Sequence, residues 1–595
     1  TGVQTCALPI LHNIYGYKML RNFQHRFIPA MMRKYENLLK WVLEGKRPVK
    51  LMWGMIVLFV VTMILNNIVH TPVVFFPDNE PNTVNTFIKM PVGTDINTTD
   101  SVAKIVEKRV IAVLGENNPI VESVVTNVAF SASEDEFDNF TKSSHLAKIA
   151  VNFVEHAKRD GQNTSAYLNE MRKAVKDIPG AEIVVDKNQM GPPTGKPINI
   201  EISGENLEEL ISTTNRFKRH IDSLSIDGIE ELKSDFATTK PEIIINLDRE
   251  RANIEGISAG MVGGAIRTAL FGSEISKYRE GEEQYPIMLR FDESQRNDIE
   301  QLLNLPITYR DMNSGILRQI PLSSVAKVDY VNSYGQINRL NLKRVITLSS
   351  NVLDGYTANE IIPQIHKAIP NFEKSTSIDI KITGEQEDQQ ESMLFLMNAM
   401  LLALFLIMFI LVTQFNSMSK PIIIISEVIF SIIGVLLGYM LFDMTISIIM
   451  TGMGIVALAG IVVRNGILLV EFTDVLIAKG MKTRDAIVEA GKTRITPVVL
   501  TATATILGLV PLAIGMNINF VTLFTELNPH IHFGGDNVAF FGPLSWTIIF
   551  GLSFATFLTL ILIPVMYLLI HTRAVRKQRR KSNRIAKKTN FKELY

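Results

Sequence analysis

The chain has 595 residues, of which 47% are hydrophobic and only 20% are charged. This length exceeds that of one domain, and the apolar excess, with a positive mean hydropathy, argues against an ordinary soluble protein. The net charge of +1 indicates no acidic partner, and a single cysteine, Cys6, excludes an intrachain disulfide framework or a cysteine metal cluster.

The start of the chain does not read as native protein. Residues 1–10 resemble a translated sequencing adaptor, and the sequence opens with neither an initiator Met nor a signal peptide. We therefore expect a fragment of a longer protein. Residues 11–50 carry basic and apolar side chains at helical spacing, which predicts a helix on the cytoplasmic surface of a membrane.

Six apolar stretches are long enough to cross a bilayer as helices. The first is 51–70, and five more fall within a bundle at 391–570, at about 393–413, 421–441, 446–470, 497–515 and 544–570. Pro497 is expected in the first turn of the fifth helix. Basic residues flank the spans on one side only, and the positive-inside rule makes that side cytoplasmic. The basic tail at 571–595 fits a membrane flank better than a nucleic-acid arm.

The insert at 71–390 is soluble in pattern and predicts two ferredoxin-like β-α-β-β-α-β units. The first unit has strands at 86–90, 120–128, 147–154 and 181–185 and helices at 101–114 and 165–178. The second has strands at 198–202, 229–233, 242–247, 345–350 and 377–382 and helices at 207–224 and 358–369. It is interrupted by an insertion at 258–335, in which the polar segment 273–283 predicts a projecting hairpin.

One cation lies deep in an apolar span. Arg464 is flanked by apolar residues from 448 to 470, and an arginine near the bilayer centre costs roughly 2.5–3.5 kcal/mol on insertion scales. Arginine keeps its proton in proteins, so we expect a counter-ion to a buried carboxylate rather than a proton carrier. Snorkelling towards the membrane surface is the alternative. Glu427 is the only mid-span acid, because Glu471 lies seven residues further on, about 10 Å along the helix axis.

Two further sets of residues are candidates for function. Arg494 and Thr501 share a helix face, although a threonine hydroxyl in a span commonly bonds its own backbone. The loop at 129–140 is acidic and carries Phe130, Phe137 and Phe140, which favours ligand binding over a solvated turn.

Nucleotide chemistry and enzyme catalysis find no support in the sequence. Residues 490–493 read AGKT but lack the upstream glycine of a phosphate loop. Energy is therefore expected to come from an ion gradient. No nucleophile–base pair or set of metal ligands emerges either, so a transporter is favoured over an enzyme.

Three segments together resemble the resistance-nodulation-division (RND) efflux permeases. They are GIVVRNGILLVEF at 460–472, RITPVVLT at 494–501 and LGLVPL at 507–512. The resemblance is to the C-terminal half, in which 51–70 would be span seven of the family. It implies a porter subdomain at 71–193, a second at 194–257 and 336–390, and a docking subdomain at 258–335 whose hairpin enters a neighbouring protomer of a homotrimer.

The same resemblance implies roles for single residues. Arg464 stands where drug exporters of this family carry a lysine, and Arg494 and Thr501 match the other proton-relay positions. Glu427 is an additional intramembrane acid, since the proton-carrying carboxylates would belong to the missing N-terminal half. The phenylalanine loop matches the family's switch loop between substrate pockets.

The function implied is proton antiport of hydrophobic or amphiphilic compounds across an inner membrane, with no cofactor beyond the proton gradient. A periplasmic adaptor and an outer-membrane channel would be the partners, and nucleic acid would not. A metal exporter of the same superfamily is the alternative, although only Met190 falls near a position of the copper and silver exporters' methionine clusters. A non-transporting scaffold or receptor with the same fold is a third possibility.

Overall fold

The computed structural model describes residues 23–592 except 70, 78–79, 116, 135–141, 160, 188–194, 237–239, 297, 311–314, 335 and 354. In that part of the chain, six helices are long and apolar enough to cross a membrane. They are Arg47–Val69, Glu385–Phe415, Ser419–Leu441, Ile448–Ala478, Thr483–Ile514 and Asp536–Arg573, the last being part of a helix that runs to Lys592. Each overlaps one predicted range, and they are called spans one to six.

The ends of several spans lie beyond the predicted ones. Span five begins at Thr483, so Pro497 lies inside this helix and the expectation that it opens the helix is wrong. Residues 483–496 are too polar for a hydropathy signal, but backbone hydrogen bonding continues a helix whatever the side chains. Spans five and six are joined by a short helix, Phe520–Thr525, and a strand pair of Met516–Asn517 with His532–Phe533.

Span six is the most buried of the six helices and packs closely on span three. Gly434 and Gly438, one turn apart on span three, face Phe554 and Phe550 of span six. A Cβ at Gly434 would lie 2.3 Å from Phe554 Cβ and 2.9 Å from the Phe550 carbonyl oxygen. Small residues four apart let two membrane helices approach until their backbones are nearly in contact.

A helix lies within the range 11–50 and packs against the bundle. A π-helical turn, Phe23–Phe27, leads into the helix Ile28–Val42, which buries Tyr35, Leu39 and Val42. The Tyr35 hydroxyl donates to the Leu560 carbonyl of span six at 2.6 Å. That carbonyl lacks its usual helical donor because Pro564, four residues on, has no N–H. The tyrosine therefore satisfies a bond that the proline removes.

The first αβ unit has the predicted order of elements. Its antiparallel sheet runs Val121–Val128, Leu146–Phe153, Thr83–Lys89 and Glu182–Lys187, which is the ferredoxin-like strand order. Burial alternates along the two central strands, so one face meets the helices Ile96–Leu114 and Thr164–Val175. The N-cap side chains Asp95 and Asn163 begin these helices.

The second unit repeats this topology with one difference. Its sheet runs Asn338–Leu340, Lys343–Ser350, Ile198–Gly204 and Asp379–Ile382, and Lys233–Ser234 pairs with the second of these strands. The helices Leu207–Ser223 and Ala358–Ala368 cover it. The segment at 242–247 was expected in this unit, and that expectation is wrong. The observed strand, Lys240–Leu247, pairs antiparallel with Ala326–Ser333, and its partly buried Ile245 and Leu247 pack against the core of the insertion.

The insertion also contains the predicted hairpin. Ser273–Glu280 pairs with Glu283–Leu289, and every residue of both strands is exposed. The remaining elements are helices and one further strand pair: Arg249–Glu255, Ala259–Leu270, Glu293–Arg296, Ile299–Leu303, and Pro306–Arg310 with Leu317–Pro321.

A short parallel strand pair joins the bundle to the αβ units. Val73–Val74, which follows span one, pairs with Ile446–Ser447, which precedes span four. The Ser447 hydroxyl donates to the Phe75 carbonyl, and the Asn359 amide of the second unit donates to the Val73 carbonyl at 2.7 Å. Gln389, at the start of span two, donates to the Asn359 side-chain oxygen. Spans two and four and the second unit therefore meet at this point, which we call the junction.

Candidate functional site in the membrane bundle

Glu427 lies at the centre of the contact between spans three and four. It is 1% exposed, and neither carboxylate oxygen has a hydrogen-bond partner among the described residues. Oε2 lies 3.0 Å from the position that a Cβ would occupy at Gly466 of span four. The same Cβ would meet Ile424 and Ile563, so the surroundings of the carboxyl group are apolar.

Arg464 is on the other side of span four. It is exposed and makes no ion pair or hydrogen bond with any residue that the structure describes. Gly466 comes two positions after Arg464, which corresponds to a rotation of about 200° around the helix axis. Arg464 therefore points away from Glu427. It belongs to an exposed stripe with Gly460 and Glu471. The structure therefore does not bring Arg464 and Glu427 together.

Arg494 and Thr501 occupy two depths of span five. The Arg494 guanidinium carbon lies 4.7 Å from the ring centroid of Phe472, and its buried Nε has no hydrogen-bond partner in the described part of the chain. The Thr501 hydroxyl donates to the Val498 carbonyl of its own helix at 3.1 Å, the alternative that the sequence left open. Phe472 lies about 12 Å along span four from Arg464, and Thr501 about 10 Å along span five from Arg494. Because the two helices are antiparallel, Arg464 and Thr501 lie at similar depth.

A polar cluster lies at the end of the bundle that carries the basic loops, and the sequence did not predict it. Lys420 Nζ of span three lies 2.7 Å from Asp474 Oδ2 of span four, and the Tyr567 hydroxyl of span six donates to Asp474 Oδ1 at 2.5 Å. We call these three residues the Asp474 cluster. Each lies near a span end, where a single charge attracts no attention, and only the packing shows that they meet.

The phenylalanine loop is described only in part. Phe130 is 53% exposed, whereas Phe137 and Phe140 lie outside the described residues, as does Met190. Ala129 and Ser131 have φ of 65° and 54°, a left-handed conformation that non-glycine residues rarely adopt. Glu134 of this loop pairs with Lys196 of the second αβ unit at 3.0 Å, so the loop contacts both units.

A cleft of about 1100 Å³ lies between the two αβ units. Two ion pairs cross it in opposite senses: Lys233 to Glu182 at 3.2 Å, and Arg172 to Glu230 at 3.8 Å. Its apolar wall includes Met90, Val92, Ile183, Phe236 and Leu353, and its basic residues are Lys89, Arg172, Lys173, Lys176, Lys218 and Lys233. The described residues contain no group of three or more His, Cys, Asp or Glu that could hold a metal ion.

The chain matches the model of the AcrB/AcrD/AcrF family over residues 11–571. It is 26% identical over 507 residues to the cation efflux system protein CzcA of Alcaligenes sp. (strain CT14), covering 84% of this chain and 45% of that protein. It is also 26% identical over 559 residues to the multidrug resistance protein MdtC of Erwinia tasmaniensis, covering 92% of this chain and 49% of that protein. The chain thus spans about half the length of these curated relatives.

Solved structures of a heavy metal efflux pump share the fold. Crystal form I superposes with a TM-score of 0.73 at 23% identity, covering 91% of this chain and 52% of that chain. Crystal form II gives a TM-score of 0.71 at 22% identity, covering 92% and 52%. At these identities the likeness concerns architecture.

Proposed function

Because the chain belongs to the AcrB/AcrD/AcrF family of RND permeases, we propose that it is the C-terminal half of a proton-driven efflux pump for hydrophobic or amphiphilic compounds. The bundle lies in the inner membrane and the αβ units in the periplasm. The pump is a homotrimer that works with a periplasmic adaptor and an outer-membrane channel. It is a secondary transporter rather than an enzyme, and it uses the proton gradient without a bound cofactor.

The observation that carries the proposal is the exposed position of Arg464 in the middle of span four. A cation at that depth needs an anionic partner, and none lies beside it in the described part of this chain. We assign that partner to carboxylates of the other half of the permease. Proton arrival neutralises the carboxylate, weakens its attraction to Arg464 and allows the helices to shift. Thr501, at a similar depth, and Arg494 complete the relay.

The cleft between the αβ units supports an amphiphilic substrate. Its apolar wall suits a hydrophobic body, and its six basic residues outnumber the three acidic ones, Glu182, Glu230 and Glu231. An anionic head group would therefore be favoured over a cationic one. The phenylalanine loop, through Phe130, Phe137 and Phe140, contributes aromatic contacts to substrate passing between pockets.

A metal-ion exporter is the second candidate. It is supported by the similarity to a cation efflux system protein and to solved structures of a heavy metal efflux pump. The two candidates share the proton relay and differ only in what the αβ units bind.

The test expresses the full-length permease in a host that lacks its own efflux pumps. We expect tolerance to anionic detergents and dyes to rise and tolerance to zinc, cadmium, cobalt and copper to stay unchanged. Arg464→Ala should abolish that tolerance while the trimer still forms, and Arg464→Lys, which keeps the charge, should retain most of it.

Three outcomes would contradict parts of the proposal. Metal tolerance alone would select the metal exporter. Normal detergent tolerance in Arg464→Ala would refute the relay assignment. No tolerance of either kind from a well-expressed trimer would favour a non-transporting scaffold or receptor.

A further inference from the structure

We propose that Glu427 is a proton-binding site within this half of the bundle, separate from the Arg464 relay. The inference rests on the proposed function only in calling the bundle proton-coupled. The site itself stands on the geometry of spans three, four and six.

The first argument is that Glu427 has no structural role that would explain it. Buried polar side chains in folded proteins are nearly always hydrogen-bonded. Glu427 is 1% exposed, and both of its carboxylate oxygens lack a partner among the described residues. A carboxyl group that makes no hydrogen bond and lies in an apolar contact stabilises the bundle less than a leucine side chain would. Its presence is therefore better explained by chemistry than by packing.

The second argument is that Glu427 must carry a proton in this conformation. An ionised carboxylate without a counter-charge or hydrogen bond is not tolerated in an apolar interior. Arg464, the nearest basic residue along span four, points to the opposite side of its helix. Spans one and two have no ionisable side chain over 51–69 and 393–415, and on span five Arg494 lies beside Phe472. On span six the nearest basic residue is His571, eight residues beyond Ile563, so the described neighbours place no cation beside the carboxyl group.

The third argument is that a route to ionisable groups exists in one direction. Lys420 lies seven residues before Glu427 on span three, and Asp474 lies eight residues after Gly466 on span four. Tyr567 lies one helical turn beyond Ile563, which borders the carboxyl group. All three form the Asp474 cluster, which begins about 6–12 Å from the level of Glu427 along the helix axes. A proton leaving Glu427 has ionisable groups on that side.

The step itself is a simple protonation. The carboxylate of Glu427 takes up one proton and becomes the neutral acid in the conformation seen here. When span four moves away from span three, water enters beside Gly466 and the acid releases its proton towards the Asp474 cluster. Gly466 permits this arrangement, because a Cβ there would lie 3.0 Å from both Glu427 Oε2 and Ile563 Cδ1.

Infrared difference spectroscopy of the purified full-length protein, recorded during a pH ramp without substrate, tests the site. We expect a carbonyl band of protonated carboxylic acids that disappears on alkalinisation and that is weaker in Glu427→Gln by the contribution of one carboxyl group, because other buried acids such as Asp186 contribute the rest. The control Glu471→Gln removes an exposed carboxylate of span four and should keep the band. A band of equal amplitude in Glu427→Gln and the wild type, or the absence of any titrating acid in the wild type, would overturn the proposal.

A second variant covers the case in which Glu427→Gln folds poorly. Gly466→Ala crowds the carboxyl group and should shift the pH at which the band disappears, whereas Gly508→Ala, with nothing within 4 Å, should not. Equal midpoints would count against the site. The spectroscopy needs no transport, so a titrating Glu427 in a protein that exports nothing would refute only the proposed function. Export without a titrating Glu427 would refute only this inference.

Discussion

The close approach of spans three and six predicts that Gly434→Ala disrupts the bundle. The new methyl carbon would lie 2.3 Å from Phe554 Cβ and 2.9 Å from the Phe550 carbonyl oxygen. Carbon–carbon contacts are optimal at about 3.5–4.0 Å, so the two helices must separate by more than about 1 Å. A rotamer change cannot relieve the clash, because one atom belongs to the backbone and the other is attached directly to it.

The magnitude follows from two opposing effects. Overpacking in a well-packed interior costs about 1–3 kcal/mol. Replacing glycine by alanine inside a helix returns about 1 kcal/mol. Gly54→Ala in span one is a matched control, since nothing lies within 4 Å of its Cβ and it gains only the helix contribution. The difference between the two variants therefore isolates the packing penalty, about 1–3 kcal/mol.

The assay is equilibrium unfolding of the purified protein in mixed detergent micelles. We expect Gly434→Ala to unfold at a lower denaturant concentration than the wild type, and Gly54→Ala at the same or a higher one. If both variants unfold together, spans three and six do not pack as described, and the depth assigned to Glu427 on span three loses its basis.

Two further predictions concern the helix Ile28–Val42 and the first αβ unit. Tyr35→Phe leaves the Leu560 carbonyl without a donor and should lower the free energy of unfolding by about 1–3 kcal/mol. Tyr330 is exposed, so Tyr330→Phe should leave the stability unchanged in the same assay. Equal stability of the two variants would count against the Tyr35 contact. Burial raises the pKa of the Asp186 carboxyl group above its ordinary value. Its stabilising contribution is therefore complete below the unfolded-state pKa of about 3.9 and is lost as the pH rises through the raised folded-state pKa. Asp186→Asn should remove that pH dependence and raise the melting temperature at neutral pH, and an unchanged profile would refute the assignment.

Hydrophobic patterning was sufficient to locate all six candidate spans, because a bilayer demands about 20 apolar residues whatever the packing. It did not locate their ends. Span five extends over fourteen polar or mixed residues before Pro497, and span six continues far into the basic tail. A helix continues as long as its backbone hydrogen bonds can form, whereas hydropathy identifies only the apolar part of the helix.

The sequence also did not show which strands pair with each other. The segment at 242–247 was recognised as a strand from its β-branched residues, but its partner Ala326–Ser333 lies about eighty residues away. Alternating burial identifies a strand and says nothing about what lies beside it. The same holds for the site: Glu427 and Arg464 were both found from the sequence, yet only the structure shows that Glu427 lies on one side of span four and Arg464 on the other. The Asp474 cluster joins three spans through residues that belong to no motif.

The junction constrains how movement can pass from the bundle to the αβ units. The segment after span one is hydrogen-bonded on one side to the residues that precede span four and on the other side to Asn359. Hydrogen bonds break when stretched by a fraction of their length, so any axial stroke of span four longer than that must drag the second αβ unit with it or detach from it. The junction thus behaves as a rigid coupling, and any flexibility between the bundle and the second αβ unit must lie in other segments.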